Sequence, residues 1–374
     1  MFDITSRTGQ IDDLLAGICE ELQLSPTQHD LAEQRYKAIG KWLADSTFFR
    51  LANPQIYPQG SLSLGTTVKP QGRQEYDLDL VLEFALRREQ LQNPVDLLNA
   101  VESRLKENDT YRPMVSRKNR CLRVTYANDF YLDILPAIPD PSLGGTCLLV
   151  PDREARVWKA SNPRGYSSWF KSRAVIRKLA EVLNNVEPLP DHETADEKEA
   201  LKLAVQLIKR NRDIIFKSEA AGPAPISIVL TTLAAQSYGG QRSVSESLTA
   251  IFAGIVSQLP AAGRLRVMNP QNPKEDFSEK WDQDVAGYPA FVAWLKSFQR
   301  QWAEAHNKTG LHSVGAILEQ LFGEAVAQSA IKKQAVRLQN SRVRGALGVG
   351  GLSTLSSVAT AAPRIIRSNT FYGD

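Results

Sequence analysis

Hydrophobic residues recur along this chain with two different periods, and the change from one to the other divides it. At Ser25-Pro26-Thr27-Gln28, a serine N-cap, a proline in the first turn and a glutamine at the third helical position open an amphipathic helix. Leu31, Tyr36, Ile39 and the Trp42/Leu43 pair carry it at helical spacing to about Ser46. Residues 77–84 alternate instead. Leu78, Leu80, Leu82 and Phe84 fall on one face and Asp77, Asp79, Val81 and Glu83 on the other, which predicts a half-buried strand. Asn93-Pro94 opens a helix with Pro94, Leu98, Val101 and Leu105 on one face, and residues 121–126 and 131–135 read as two strands around the turn Ala127-Asn128-Asp129-Phe130.

After Pro163 the helical period takes over. It covers residues 167–183, a helix from Thr194 with a capping box at Thr194 and Glu197, residues 226–235, and segments around Trp294 and Leu318. The expected architecture is α+β: a mixed-sheet lobe with an introductory helix over 1–165, a helical lobe over 166–340, and a tail over 341–374. Within the tail, residues 345–362 are a flexible linker by their Gly/Ser/Ala composition.

With 43% hydrophobic and 23% charged residues among 374, the chain is neither fibrous nor largely unfolded, and no repeat at solenoid periods is present. The uncharged stretch 345–362 is too polar and glycine-rich for a bilayer helix, and the first thirteen residues lack the apolar run of a signal peptide, so a cytoplasmic protein is expected. Cys19, Cys121 and Cys147 are far apart and near no histidine cluster, which excludes a disulfide framework and a zinc finger. Charge is uneven: the last fifty residues hold seven basic side chains against Asp374 alone, which leaves the body slightly acidic within a total of +4. A body of that kind argues against coating duplex nucleic acid, which takes many phosphate contacts from a basic face.

Asp77 and Asp79, two apart on a strand, point the same way about 6.5 Å apart and could grip one or two divalent metals, although exposed strand faces often alternate charges for no such purpose. Asp133 lies in the apolar run Tyr131-Leu132-Asp133-Ile134-Leu135, where an ionised carboxylate needs a partner. Two partners are open to it: Arg123 on the neighbouring strand, or a metal shared with Asp77 and Asp79. Carboxylate oxygens suit Mg²⁺ or Mn²⁺. Upstream, the turn Gln59-Gly60-Ser61-Leu62-Ser63 offers backbone N–H groups and hydroxyls to a phosphate.

A Gly-Ser turn, an Asp-x-Asp strand and a later single Asp together resemble the nucleotidyltransferase superfamily with its polymerase-beta-like catalytic lobe. Tyr57-Pro58-Gln59-Gly60-Ser61, Asp77-Leu78-Asp79-Leu80, Tyr131 to Pro136, Asn162-Pro163-Arg164-Gly165-Tyr166 and Leu207-Ile208-Lys209-Arg210-Asn211 look like the bacterial cGAS/DncV-like nucleotidyltransferases of anti-phage signalling. The resemblance implies a two-lobed enzyme that uses two Mg²⁺ or Mn²⁺ ions to condense nucleoside triphosphates, ATP among them, into a cyclic di- or trinucleotide. It implies Asp77, Asp79 and Asp133 as catalytic metal ligands, Gln59, Gly60 and Ser61 at the donor phosphates, and Lys209 and Ser227 as phosphate contacts from the helical lobe. Read from the residues alone, Lys209 is equally one of several solvated charges beside Lys202, Arg210 and Arg212, and Tyr166 and Trp169 are core aromatics. The scattered cysteines and the near-neutral body depart from the DNA-sensing relatives. An accessory protein resembling ubiquitin-transfer enzymes would take the C-terminal peptide 364–374, although Asp374 follows Gly373 here. A template-independent transferase acting on RNA or protein is the competing enzyme reading, and a nucleotide sensor with a dead site is the non-enzymatic one.

Overall fold

The structure is a computed structural model that describes residues 7–46, 49, 52–71, 76–127, 130–174, 187–308, 310–343, 347–349, 355–357 and 364–365. The chain runs through α1 (Arg7–Glu21), which joins the helical lobe, and then the sheet lobe: α2 (Pro26–Ala44), β1 (Gln55–Gln59), a single turn α3 (Gly60–Ser63), β2 (Tyr76–Glu83), α4 (Val95–Lys106), β3 (Val115–Arg117), β4 (Leu122–Tyr126), β5 (Phe130–Pro139), β6 (Leu148–Asp152) and β7 (Val157–Ser161). There follow α5 (Pro163–Ala174), α6 (Ala200–Ile215), α7 (Ser227–Ser237), α8 (Val244–Ser257), β8 (Met268–Asn269), β9 (Asn272–Asp276), α9 (Lys280–Gln283), α10 (Gly287–Asn307), α11 (Leu311–Phe322) and α12 (Glu324–Val343).

Seven strands make one mixed sheet in the order β1-β2-β5-β4-β3, with β6 on β5 and β7 on β6. Only β2 and β5 pair in parallel; the other neighbours are antiparallel. The alternation in β2 works as expected. Leu78, Leu80 and Leu82 enter a core with Leu132 and Ile134 of β5, Tyr36, Ile39 and Leu43 of α2, and Leu98, Val101 and Leu105 of α4. The capping box at α2 forms, with Ser25 Oγ accepting from Gln28 N at 3.2 Å and Gln28 Oε1 accepting from Ser25 N at 3.0 Å. Trp42 and Arg104 then clasp α2 to α4: the guanidinium lies 3.7 Å from the indole and each residue donates to the other's backbone carbonyl.

Two elements depart from the expected pattern. Thr194 and Glu197 do bond, with Glu197 Oε2 accepting from Thr194 N at 2.8 Å and Oγ1 at 2.9 Å, but they close a turn. The helix starts six residues later, at Ala200, after Glu199 in an extended conformation. The expected helix 167–183 begins at Pro163 and is described to Ala174; its later part lies outside the described residues. Neither α1 nor the β8–β9 hairpin was anticipated. Ile11, Leu14, Leu15 and Ile18 of α1 belong to the helical core, with α1 lying along α12 and α8. Short strands β10 (Leu347–Val349), β11 (Leu355–Ser357) and β12 (Arg364–Ile365) pair antiparallel within the stretch expected as linker and tail, while residues 366–374 lie outside the described ones. Among the described residues no helix is long and apolar enough to cross a membrane.

Leu15, fully enclosed between α1 and the helical core, provides a test of this packing. Leu15→Ala should lower unfolding free energy by about 2–5 kcal/mol in a chemical denaturation series. An N-terminal helix that merely rested on the surface would give a change below about 0.5 kcal/mol.

Candidate active site

The parallel pairing of β2 and β5 sets Asp79 directly opposite Asp133, with Asp77 two residues back on the same face. β4 adds Arg123 opposite Asp133 from the other side. Its guanidinium forks onto Asp133, Nε donating to Oδ1 and Nη2 to Oδ2, both at 2.7 Å, and Nη2 reaches Asp77 Oδ1 at 3.0 Å. The same group lies 4.3 Å from the centre of the Tyr131 ring. Of the two partners open to Asp133, the structure thus shows the arginine, and Arg123 gathers Asp77 as well. Burial, then Asp133 and Asp77, push the Asp79 carboxyl up to about 7, against the pull of Arg123 and Lys209.

Gly60 meets this cluster from β1. Gln59 is the register partner of Asp79, and the chain turns at once into α3 with Gly60 at φ +65°. A Cβ there would stand 2.0 Å from Asp79 Oδ2, so glycine is required both by the backbone conformation and by the approach of the carboxylate. The turn returns on itself through Thr66 N to Ser61 O at 2.9 Å and a hydroxyl pair, Ser61 Oγ and Thr67 Oγ1, at 3.1 Å.

Lys209 is not on a solvated face. It is 5% exposed, and its Nζ donates to Thr66 Oγ1 at 3.0 Å and Thr66 O at 3.2 Å, one turn after Gln206 donates to Thr67 O. Its neighbours are held too: Lys202 pairs with Glu193 and Glu199, and Arg210 donates to Phe322 O. Burial brings the Lys209 ammonium down to about 7, with Arg212 adding to the effect. Ser227 opens α7 and accepts from Arg212 Nη1 at 3.0 Å.

A cavity of about 230 Å³ joins the lobes here, lined by Gln59, Gly60 and Asp79 on one side and by Tyr166, Ile228 and Phe277 on the other. Ser61, Asp77, Asp133, Lys209 and Ser227 are not among its lining residues; Ser61 pairs with Thr67 and Lys209 with Thr66. A larger cavity of about 960 Å³, bordered by Lys171 and Lys198, contains none of the three acids and is set aside as a reaction site. Tyr166 packs as a core aromatic, its hydroxyl paired with Thr232 Oγ1 at 2.9 Å and its ring 5.4 Å from Trp169.

Residues 10–173 match the family described as Second Messenger Oligonucleotide or Dinucleotide Synthetase domain. Over 375 residues the chain is 34% identical to a c-di-GMP synthase of Roseivirga ehrenbergii, covering 98% of both proteins. It belongs to the cGAS/DncV-like nucleotidyltransferases. It is also 26% identical over 413 residues to the cyclic dinucleotide synthase CdnG of Bradyrhizobium diazoefficiens, covering 97% of this chain and 95% of that one. The solved structure of that CdnG in complex with GTP has the same fold, with a TM-score of 0.70 at 24% identity over 87% of this chain and 99% of that one. As a cGAS/DncV-like nucleotidyltransferase, the protein is an enzyme that condenses nucleoside triphosphates into a cyclic oligonucleotide.

Sequence reasoning passed over the half-buried Glu275 of β9 and took Arg212 only as a solvated charge. Nothing in their local pattern marked them: Arg212 follows a helical run of charges, and β9 is too short and polar to show a strand period.

Two outcomes follow from this geometry. Gly60→Ala should cut turnover at least about 100-fold by displacing Asp79, a loss of the size expected for an angstrom of misplacement; turnover within about 3-fold of wild type would show that the carboxylate relaxes at no cost. Lys209 binds a proton less readily folded, at about 7, than unfolded, near 10.5. Its contribution to stability is therefore lowest below pH 7 and rises between pH 7 and 10.5. Lys209→Met should flatten that rise relative to wild type in denaturation midpoints measured across the window, and parallel curves would contradict it.

Proposed function

We propose that the enzyme joins two molecules of GTP into a cyclic dinucleotide second messenger, c-di-GMP, for anti-phage signalling, with Asp77, Asp79 and Asp133 as the catalytic acids. The likeness to the Roseivirga c-di-GMP synthase along both chains supports the product, and the family supports the biological role. One observation carries the site: β2 and β5 run in parallel, so Asp79 and Asp133 face each other beside a glycine that leaves room for nothing but the carboxylate.

Among the described residues, no group of three or more His, Cys, Asp or Glu side chains is arranged to hold a metal ion as it stands, because Arg123 draws Asp133 and Asp77 to itself. The donor set nevertheless fits a divalent cation. Three carboxylates share one face, and burial followed by their mutual repulsion, which together raise Asp79, is what a cation would offset. Mg²⁺ or Mn²⁺, two ions in our reading, would be held by Asp77, Asp79 and Asp133 and would supply charge neutralisation at the α-phosphate and activation of the ribose hydroxyl.

The chain's own groups do the rest. The turn at Gln59, Gly60 and Ser61 orients the donor phosphates, and Gln206 and Lys209 fix it from the helical lobe through Thr66 and Thr67. Arg123 positions Asp133 and Asp77 at the correct spacing. The hydroxyl of one nucleotide gives up its proton to water as its oxygen bonds to the α-phosphorus of the next, the bond from that phosphorus to the bridging β-phosphate oxygen breaks, and pyrophosphate leaves with the electron pair; a second such step closes the ring.

Purified enzyme incubated with all four NTPs and Mg²⁺ or Mn²⁺ should yield a cyclic dinucleotide by mass spectrometry. Linear chains or labelled protein would overturn the reading. The Asp77→Asn, Asp79→Asn double variant should lose product by more than about 1,000-fold, the scale on which removal of charge stabilisation at such a site acts, with circular dichroism unchanged. Product near the wild-type level would remove these acids from the chemistry.

A further inference from the structure

The cavity beside Asp79 also reaches a carboxylate that the chemistry above leaves unused. Glu275 on β9 lines the helical-lobe side of the cavity, with Ile228 and Phe277 as apolar walls. Three donors hold it: Asn162 N at 3.1 Å and Asn269 Nδ2 at 2.6 Å on Oε2, and Ser161 Oγ at 3.2 Å on Oε1. A carboxylate offers about four acceptor positions, so one is open on Oε1, and release of the long Ser161 bond would free a second there, enough for two adjacent donors on one oxygen. The neighbouring polar groups are committed elsewhere. Asn162 Oδ1 accepts from Gly165 N at the start of α5 and from Thr146 Oγ1, while its amide donates to Gln271 O at 2.8 Å. Asn269 Oδ1 accepts from Gln271 N at 2.9 Å. Burial pushes the Glu275 carboxyl up and the three donors pull it down, which is the balance of a group kept for a polar partner.

An acceptor set between apolar walls selects among bases. On its pairing edge guanine alone presents two adjacent donors, N1–H and the N2 amino group. Adenine and cytosine put a ring-nitrogen acceptor next to their amino group, and uracil flanks its N3–H with two carbonyls, so each would turn a lone pair toward the carboxylate.

We infer that Glu275 is the guanine-specificity residue of this synthase, Oε1 accepting from the base edge of a GTP whose phosphates lie toward Gly60 and Asp79. The inference rests on the GTP reading given above and names the group that would enforce it.

The test pairs binding with turnover. Calorimetric titration of the wild-type enzyme with GTP, ITP, which lacks the N2 amino group, and ATP should show GTP bound about 10- to 100-fold more tightly than either, the scale of one well-made base contact. Glu275→Gln should bring the three within about 3-fold. If the variant weakens all three equally and keeps their ratios, Glu275 only braces Asn162 and Asn269 and the inference is overturned. A wild-type enzyme indifferent to ITP overturns it as well, without recourse to a variant that might not fold. Product analysis on the same samples separates the two readings. A Glu275-dependent preference for GTP without cyclic product upholds the inference and sinks the proposed reaction; cyclic product from GTP with unchanged ratios in Glu275→Gln does the reverse.

Discussion

Three carboxylates on two adjoining strands repel one another, and Arg123 is what the protein sets against that repulsion. Its position follows from antiparallel register, which places it across from Asp133, and its forked shape lets one cation serve Asp133 on two oxygens and Asp77 on a third. A lysine could supply the charge but not the fork. Asp79 is left as the least compensated of the three, and its carboxyl is correspondingly hard to ionise. The sheet thus concentrates more negative charge than Arg123 alone balances.

The helical lobe takes part through the loop at residues 64–68 more than through the acids themselves. Gln206 and Lys209 reach this loop from α6, while Ser61 and Thr67 close it from within. Placing an ammonium against a threonine in an enclosed space costs desolvation, which is why Lys209 gives up its proton so readily. In return, the two bonds from Nζ to Thr66 fasten the loop to the helical lobe.

The first lobe was legible because its strands are buried on one face. Alternation from Leu78 to Phe84 named β2 and its inward face, and with it the side of the sheet that bears Asp77 and Asp79. Asp133 was legible from the misfit of a carboxylate in an apolar run, and Gly60 from its place between Gln59 and Ser61. The helical lobe was harder. A helix enclosed on most sides, such as α6 with Lys202, Lys209 and Arg210 all buried, presents charges that look solvated in one dimension and prove to be committed in three. The capping pattern at Thr194 and Glu197 formed its bonds in the wrong setting, since a capping box stabilises a turn whether or not a helix continues from it. Glu275 was out of reach, because its meaning depends on Asn162 and Ser161, more than a hundred residues earlier in the chain.

The docking of α1 along α12 has a consequence for biogenesis. Its apolar face, with Ile11, Leu14, Leu15 and Ile18, leaves the ribosome some three hundred residues before the surface that covers it, which includes Ala327 and Ala330. At about 5–20 residues per second, the interval between the two is roughly a quarter of a minute to a minute. For that time the sheet lobe can assemble from α2 onward, but the helical lobe cannot close. The nascent chain therefore carries α1 with its hydrophobic face unfinished until α12 is made, and the finished enzyme is the product of a late, long-range closure that joins these two helices.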